Sequence, residues 1–66
     1  MKKGEALQKC RLERGLSQSQ LAKASGVSLR AVQSYEQGDR DINKASAETV
    51  LKLAECLKCS MPEIMN

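Results

Sequence analysis

Apolar side chains recur three and four residues apart along this chain, and serines and glycines punctuate the intervals as helix starts and stops. Taken in order, they predict five short helices with no repeat, linker or low-complexity tract between them. The first runs from about Gly4 to Arg14, placing Leu7, Cys10 and Arg11 on one face, with Gly15 as its left-handed stop and Leu16 turning inward. Ser17 followed three residues on by Gln20 is a capping-box pattern, so a second helix starts there, carries Leu21 and Ala22 inward and ends at Gly26. Only Gly26-Val27 separates it from Ser28, a second N-cap, and the third helix continues to Gln37 and stops at Gly38. Two short helices joined this tightly must cross steeply.

From Asp39 to Ala45 the chain is polar apart from Ile42, as expected of a loop returning to the core. Ser46 then opens a fourth helix with Val50, Leu53, Ala54 and Leu57 on one stripe. Ser60 with Glu63 forms another capping-box pattern, which opens a last turn with Pro62 near its start and Met61, Ile64 and Met65 along one side. The expected fold class is all-α: a compact five-helix domain spanning residues 1–66, with the crossed pair at about 18–37.

Composition narrows the functions available. Sixty-six residues form a single domain with little interior, so function must sit on its outside, and no deep catalytic cleft is expected. The chain is 41% hydrophobic but only 2% aromatic, with 11 basic against 8 acidic residues giving a net charge of +3, compatible with a polyanion but not diagnostic of one. No stretch approaches the ~18 apolar residues of a membrane helix and no leader follows Met1, so the expected location is cytoplasmic. Three cysteines, an odd number, fit a reducing compartment, and the absence of histidine removes the commonest general base and metal ligand. Neither enzymatic activity, nor a cofactor or metal, nor a small-molecule substrate is expected.

The crossed pair carries further constraints. Small Ala22 allows the third helix to lie close over the second, Gly26 provides the positive φ of a tight turn, and Val32 and Tyr35 face inward. With Arg11, Gly15-Leu16-Ser17-Gln18, Leu21-Ala22, Gly26-Val27-Ser28 and Tyr35-Glu36-Gln37-Gly38, the chain resembles the lambda repressor, Cro and Xre family of helix-turn-helix regulators. Glu48-Thr49-Val50-Leu51-Lys52-Leu53-Ala54 is similar to that family's fourth helix and Met61-Pro62-Glu63-Ile64-Met65 to its fifth. A departure is Lys58, where the family usually has glycine; a left-handed lysine there costs ~1 kcal/mol. The ligand-sensing or self-cleaving domains of some members are not expected here.

With Val32 set inward and ~100° of rotation per residue, Arg30, Gln33, Ser34 and Gln37 fall on the far side of the third helix. Arginine reads guanine and glutamine reads adenine in the major groove, and Leu29 suits a thymine methyl. The resemblance implies base contacts at Ser28, Leu29, Arg30, Gln33 and Ser34. Phosphate contacts are expected from Gln18, at a helix N-terminus that favours anions, and from Gln37, Arg40, Asn43 and Lys44; the charged loop is alternatively just solvated.

Glu36 lies only ~40° from Val32 on the helix, and Arg11 lies on the face of Leu7, so each needs a partner if buried. They are expected to pair, as the corresponding residues do in the family; removing one would cost ~3 kcal/mol. Cys56 and Cys59 have C-x-x-C spacing, but without a second ligand pair or a βαβ unit, and all three cysteines suit small buried apolar positions.

The implied function is sequence-specific binding of double-stranded DNA, as a repressor acting on a pseudo-palindromic operator through a homodimer with half-sites ~34 Å apart. Met61, Ile64 and Met65 either form the dimer contact or close the core. The alternatives are an antitoxin that binds a toxin protein while regulating its own operon, and a thiol redox or metal protein using Cys56 and Cys59.

Overall fold

The computed structural model describes residues 4–65. Five α-helices follow in order: α1 (Glu5–Glu13), α2 (Gln18–Ser25), α3 (Leu29–Gln37), α4 (Ala47–Leu57) and α5 (Met61–Ile64), with a 3₁₀ turn at Ile42–Lys44. No strand occurs among the described residues. α2 packs across α3 and against α4, while α1 touches α3 and α5, and α4 touches α5. The all-helical architecture expected from the apolar spacing is the one observed.

Local chemistry sets the helix boundaries. Ser17 Oγ accepts from the Gln20 amide at 3.0 Å while the Ser17 amide donates to Gln20 Oε1 at 2.8 Å, so the capping box at the start of α2 is complete. Ser28 Oγ accepts from the Ala31 amide at 3.1 Å and Ser46 Oγ from the Thr49 amide at 3.2 Å. Each such cap contributes about 1 kcal/mol by pairing an amide that the helix leaves without a carbonyl. α2 ends at Gly26 with φ 78°, a conformation open to glycine without steric cost, and its amide donates back to Ala22 O.

Gly4 has a stricter requirement. It precedes α1 with φ 87°, and a Cβ there would lie 2.2 Å from Tyr35 O and 2.5 Å from Glu36 O. The start of α1 therefore sits directly on the last turn of α3, an approach that only glycine allows. α1 is slightly shorter than its sequence suggests, with Arg14 as its C-cap and Gly15 at φ 70° just beyond.

Leu7, Leu21, Val32, Ile42, Val50, Leu53, Leu57 and Ile64 are fully enclosed and join all five helices and the 3₁₀ turn in one core. The segment from Asp39 to Ala45 is more ordered than a plain loop, because Asp41 Oδ1 accepts from the Asn43 amide at 2.9 Å and starts the turn that drives Ile42 inward. Lys58 has φ 56°, the left-handed conformation foreseen for it.

One expected feature is absent. Ser60 makes no side-chain cap bond to α5. The Glu63 amide, which a capping box would use, donates instead to Ser60 O at 3.1 Å, and Pro62 has no amide to offer. A helix of four residues with proline in its first turn closes through the backbone and leaves the serine oxygen without that role.

No helix among the described residues is long and apolar enough to cross a membrane.

Candidate nucleic-acid interface

α3 divides sharply around its circumference. Ala31, Val32, Tyr35 and Glu36 are enclosed, whereas Leu29, Arg30 and Gln37 are exposed, Gln33 and Ser34 are half-buried, and the preceding Ser28 is exposed. The outward set contains no carboxylate. It offers a guanidinium, two carboxamides, two hydroxyls and one apolar side chain, Leu29 at 38% exposure, a mixture suited to hydrogen-bonding base edges and touching a methyl group.

The inward side is anchored by a buried ion pair. Arg11 Nε donates to Glu36 Oε2 at 2.7 Å and Arg11 Nη2 to Glu36 Oε1 at 3.0 Å, a bidentate geometry with both side chains almost wholly enclosed. Arg11 Nη1 donates to Leu16 O at 2.7 Å, and Gln18 Nε2 donates to Glu36 Oε1 at 3.1 Å. Among the described residues, no buried side-chain nitrogen or oxygen lacks a partner. One guanidinium thus joins α1, the entry to α2 and the end of α3.

The segment after α3 places further polar groups nearby. The Arg40 guanidinium lies 5.1 Å from the centre of the Tyr35 ring, a cation–π contact that holds the side chain against α3. Asp39 and Arg40 amides both donate to Ser34 O, at 3.0 and 3.2 Å, which closes the C-terminal end of α3. Asn43 and Lys44 are exposed on the 3₁₀ turn.

Two features had no sequence signal. Arg14 Nε donates to Leu57 O at 2.7 Å and Nη2 to Lys58 O at 3.4 Å, so a side chain from α1 closes the C-terminal end of α4 where Lys58 turns left-handed. Its partner is 43 residues away. The Gly4 approach to α3 is equally non-local.

At the opposite end, Ile64 is fully enclosed, so of the two readings open for this segment it takes the core one and is not available to a second copy. Met61 and Met65 are only half-buried against the core. The cysteines remain free thiols, Cys10 buried and Cys56 and Cys59 half-buried. Burial, with Cys10 and Glu63 beside it, pushes the Cys59 thiol up to about 11, which closes it as a nucleophile near neutral pH. Cys59 Sγ donates to Leu57 O at 3.4 Å and Cys10 Sγ to Glu63 O at 3.8 Å. Among the described residues no three His, Cys, Asp or Glu side chains cluster as a metal site would require.

A short helix braced across a second and showing a polar, carboxylate-free face is the geometry of a helix-turn-helix DNA reader. A helix-turn-helix family profile matches residues 7–64, and the chain belongs to that family in its Cro/C1 form, the lambda repressor and Xre group of DNA-binding transcriptional regulators. Its structure is similar to that of the restriction-modification controller protein C.AhdI from Aeromonas hydrophila, at 35% identity and TM-score 0.82 over 94% of this chain and 89% of that one. It is also similar to the P22 c2 repressor in complex with a synthetic operator, at 26% identity and TM-score 0.84 over 100% of this chain and 96% of the repressor chain in that structure. The clp gene regulator ClgR from C. glutamicum is 28% identical over 92% of this chain and 75% of its own, with TM-score 0.77. No curated protein matches the sequence. The matched proteins are regulators of transcription rather than enzymes.

Proposed function

We propose that the chain represses transcription by binding a pseudo-palindromic operator as a homodimer, with α3 of each copy in the major groove. The observation that carries this reading is the division of α3 into an enclosed side and an outward side with no carboxylate. In the proposed complex Arg30 reads guanine, Gln33 reads adenine, Ser28 and Ser34 accept or donate at neighbouring edges, and Leu29 meets a thymine methyl. Gln18, Gln37, Arg40, Asn43 and Lys44 hold phosphates on either side and set the register. The complex of the P22 c2 repressor with its operator supports the assignment through the likeness of the two structures.

Two copies give specificity that one small domain lacks, with half-sites ~34 Å apart on one face of the duplex. Met61 and Met65, half-buried beside the core, are the residues proposed for the contact between copies. Occlusion of a promoter by the bound dimer accounts for repression without an effector site.

Selection of sites from random DNA tests the proposal. Arg30→Ala is expected to lose ~1–3 kcal/mol of discrimination at a single base pair, while Lys44→Ala weakens binding to all sequences alike and lowers the salt slope by about 1. Equal losses on every sequence from both variants would contradict the division of roles.

A further inference from the structure

We infer that Glu36 is a positioning residue for DNA binding, fixing the Gln18 carboxamide so that it meets a phosphate in register with the reading helix. The inference rests on the proposed function and adds a residue that touches no DNA. Glu36 Oε1 accepts from both Arg11 Nη2, at 3.0 Å, and Gln18 Nε2, at 3.1 Å. A carboxamide nitrogen carries two hydrogens. Glu36 takes one, which fixes the plane of the amide and leaves the other for a phosphate oxygen at the start of α2.

The surroundings suit this role. A carboxylate close to a phosphate would repel it, but Arg11 holds Glu36 through both oxygens, at 2.7 and 3.0 Å, and the pair is electrically neutral. The same guanidinium donates to Leu16 O at 2.7 Å, so the residue before the Ser17 cap is tied to the same point. Gln18 is the first residue of α2 and Glu36 the penultimate residue of α3. The contact therefore links the phosphate-facing end of one helix to the base-reading helix by two side chains. A freely rotating glutamine would lose rotamer freedom each time it met the phosphate; one already held loses less.

A double-variant cycle tests the coupling, with affinity measured in the cold for a duplex that the wild-type chain selects from random DNA and folding checked by circular dichroism. Gln18→Ala is expected to weaken binding about fivefold, near the worth of one hydrogen bond. Glu36→Asp keeps the charge for Arg11 but shortens the reach to Gln18, and is expected to weaken binding about threefold, with the double variant no worse than Gln18→Ala alone. Losses that multiply, or a Gln18→Ala variant that binds like wild type, overturn the inference and leave the DNA-binding reading standing. A wild-type chain that selects no duplex removes that reading, and the inference with it.

If Glu36→Asp fails to fold, the wild-type side-chain amide of Gln18 provides the readout by NMR. One Nε2 proton is expected away from the solvated position in the free protein and unchanged on adding duplex, while the other moves. Both protons at solvated shifts, or loss of the first on binding, overturn the inference.

Discussion

Around the α2–α3 pair both helix starts are closed by a serine oxygen and both ends by a left-handed glycine, whereas at α4–α5 the chain turns through a left-handed lysine into a helix whose serine caps nothing. The first region also holds the buried Arg11–Glu36 pair, with Leu16 O and Gln18 bonded to it. The second relies on enclosed apolar side chains, Leu53, Leu57 and Ile64 among them, and borrows Arg14 from α1 to close α4. Directional bonds fix position, and burial supplies free energy without fixing direction. A surface that reads base edges needs the former; an element that completes the core needs only the latter.

This contrast can be broken from either side. The largest effect is expected from Leu53→Ala, which leaves a cavity in the core and should cost 2–5 kcal/mol in urea unfolding, roughly the range for a buried leucine. The fraction that remains folded should keep the wild-type preference among DNA sites. Arg11→Met should cost ~3 kcal/mol by leaving Glu36 charged and unpaired in the interior. Unlike Leu53→Ala, it should also weaken DNA binding when measured in the cold on folded protein, because it unties Leu16 and releases the Glu36 carboxylate that holds Gln18.

Smaller changes sharpen the comparison. Ser17→Ala should cost about 1 kcal/mol in thermal unfolding, whereas Ser60→Ala, which removes no cap bond, should change stability by no more than a few tenths. Equal losses at the two serines would show that the caps do not distinguish the regions.

Much of the fold was legible because its signals are local. Ser17 with Gln20, Ser28, Ser46, Gly26 and Gly38 act within one helical turn of themselves, and the spacing of Val50, Leu53, Ala54 and Leu57 declares a buried stripe whatever covers it. The outward placement of Arg30, Gln33, Ser34 and Gln37 followed from the same periodicity once Val32 was placed inside, whereas Ser28 and Leu29 entered the set through the family resemblance. Arg11 and Glu36 were marked by charge on apolar faces.

What sequence did not show depends on distant partners or on competition within one turn. Nothing near Arg14 announces the Leu57 carbonyl, and nothing near Gly4 announces the backbone of Tyr35 and Glu36. The pattern at Ser60 and Glu63 misled because Pro62 and a four-residue helix let the backbone carbonyl take the amide first. Ile64 shares α5 with Met61 and is followed directly by Met65, and only packing against α1 and α4 decides that it is the one fully enclosed.

The central claim is that the outward face of α3, supported by the start of α2, is where DNA lies. Titration of isotopically labelled protein with a selected duplex at low salt tests it residue by residue. The account predicts that the largest amide and side-chain shifts fall on Ser28, Leu29, Arg30, Gln33 and Ser34, with Gln18 following. Shifts centred instead on the outer side of α1, at Gln8 and Leu12, with α3 undisturbed, would contradict it.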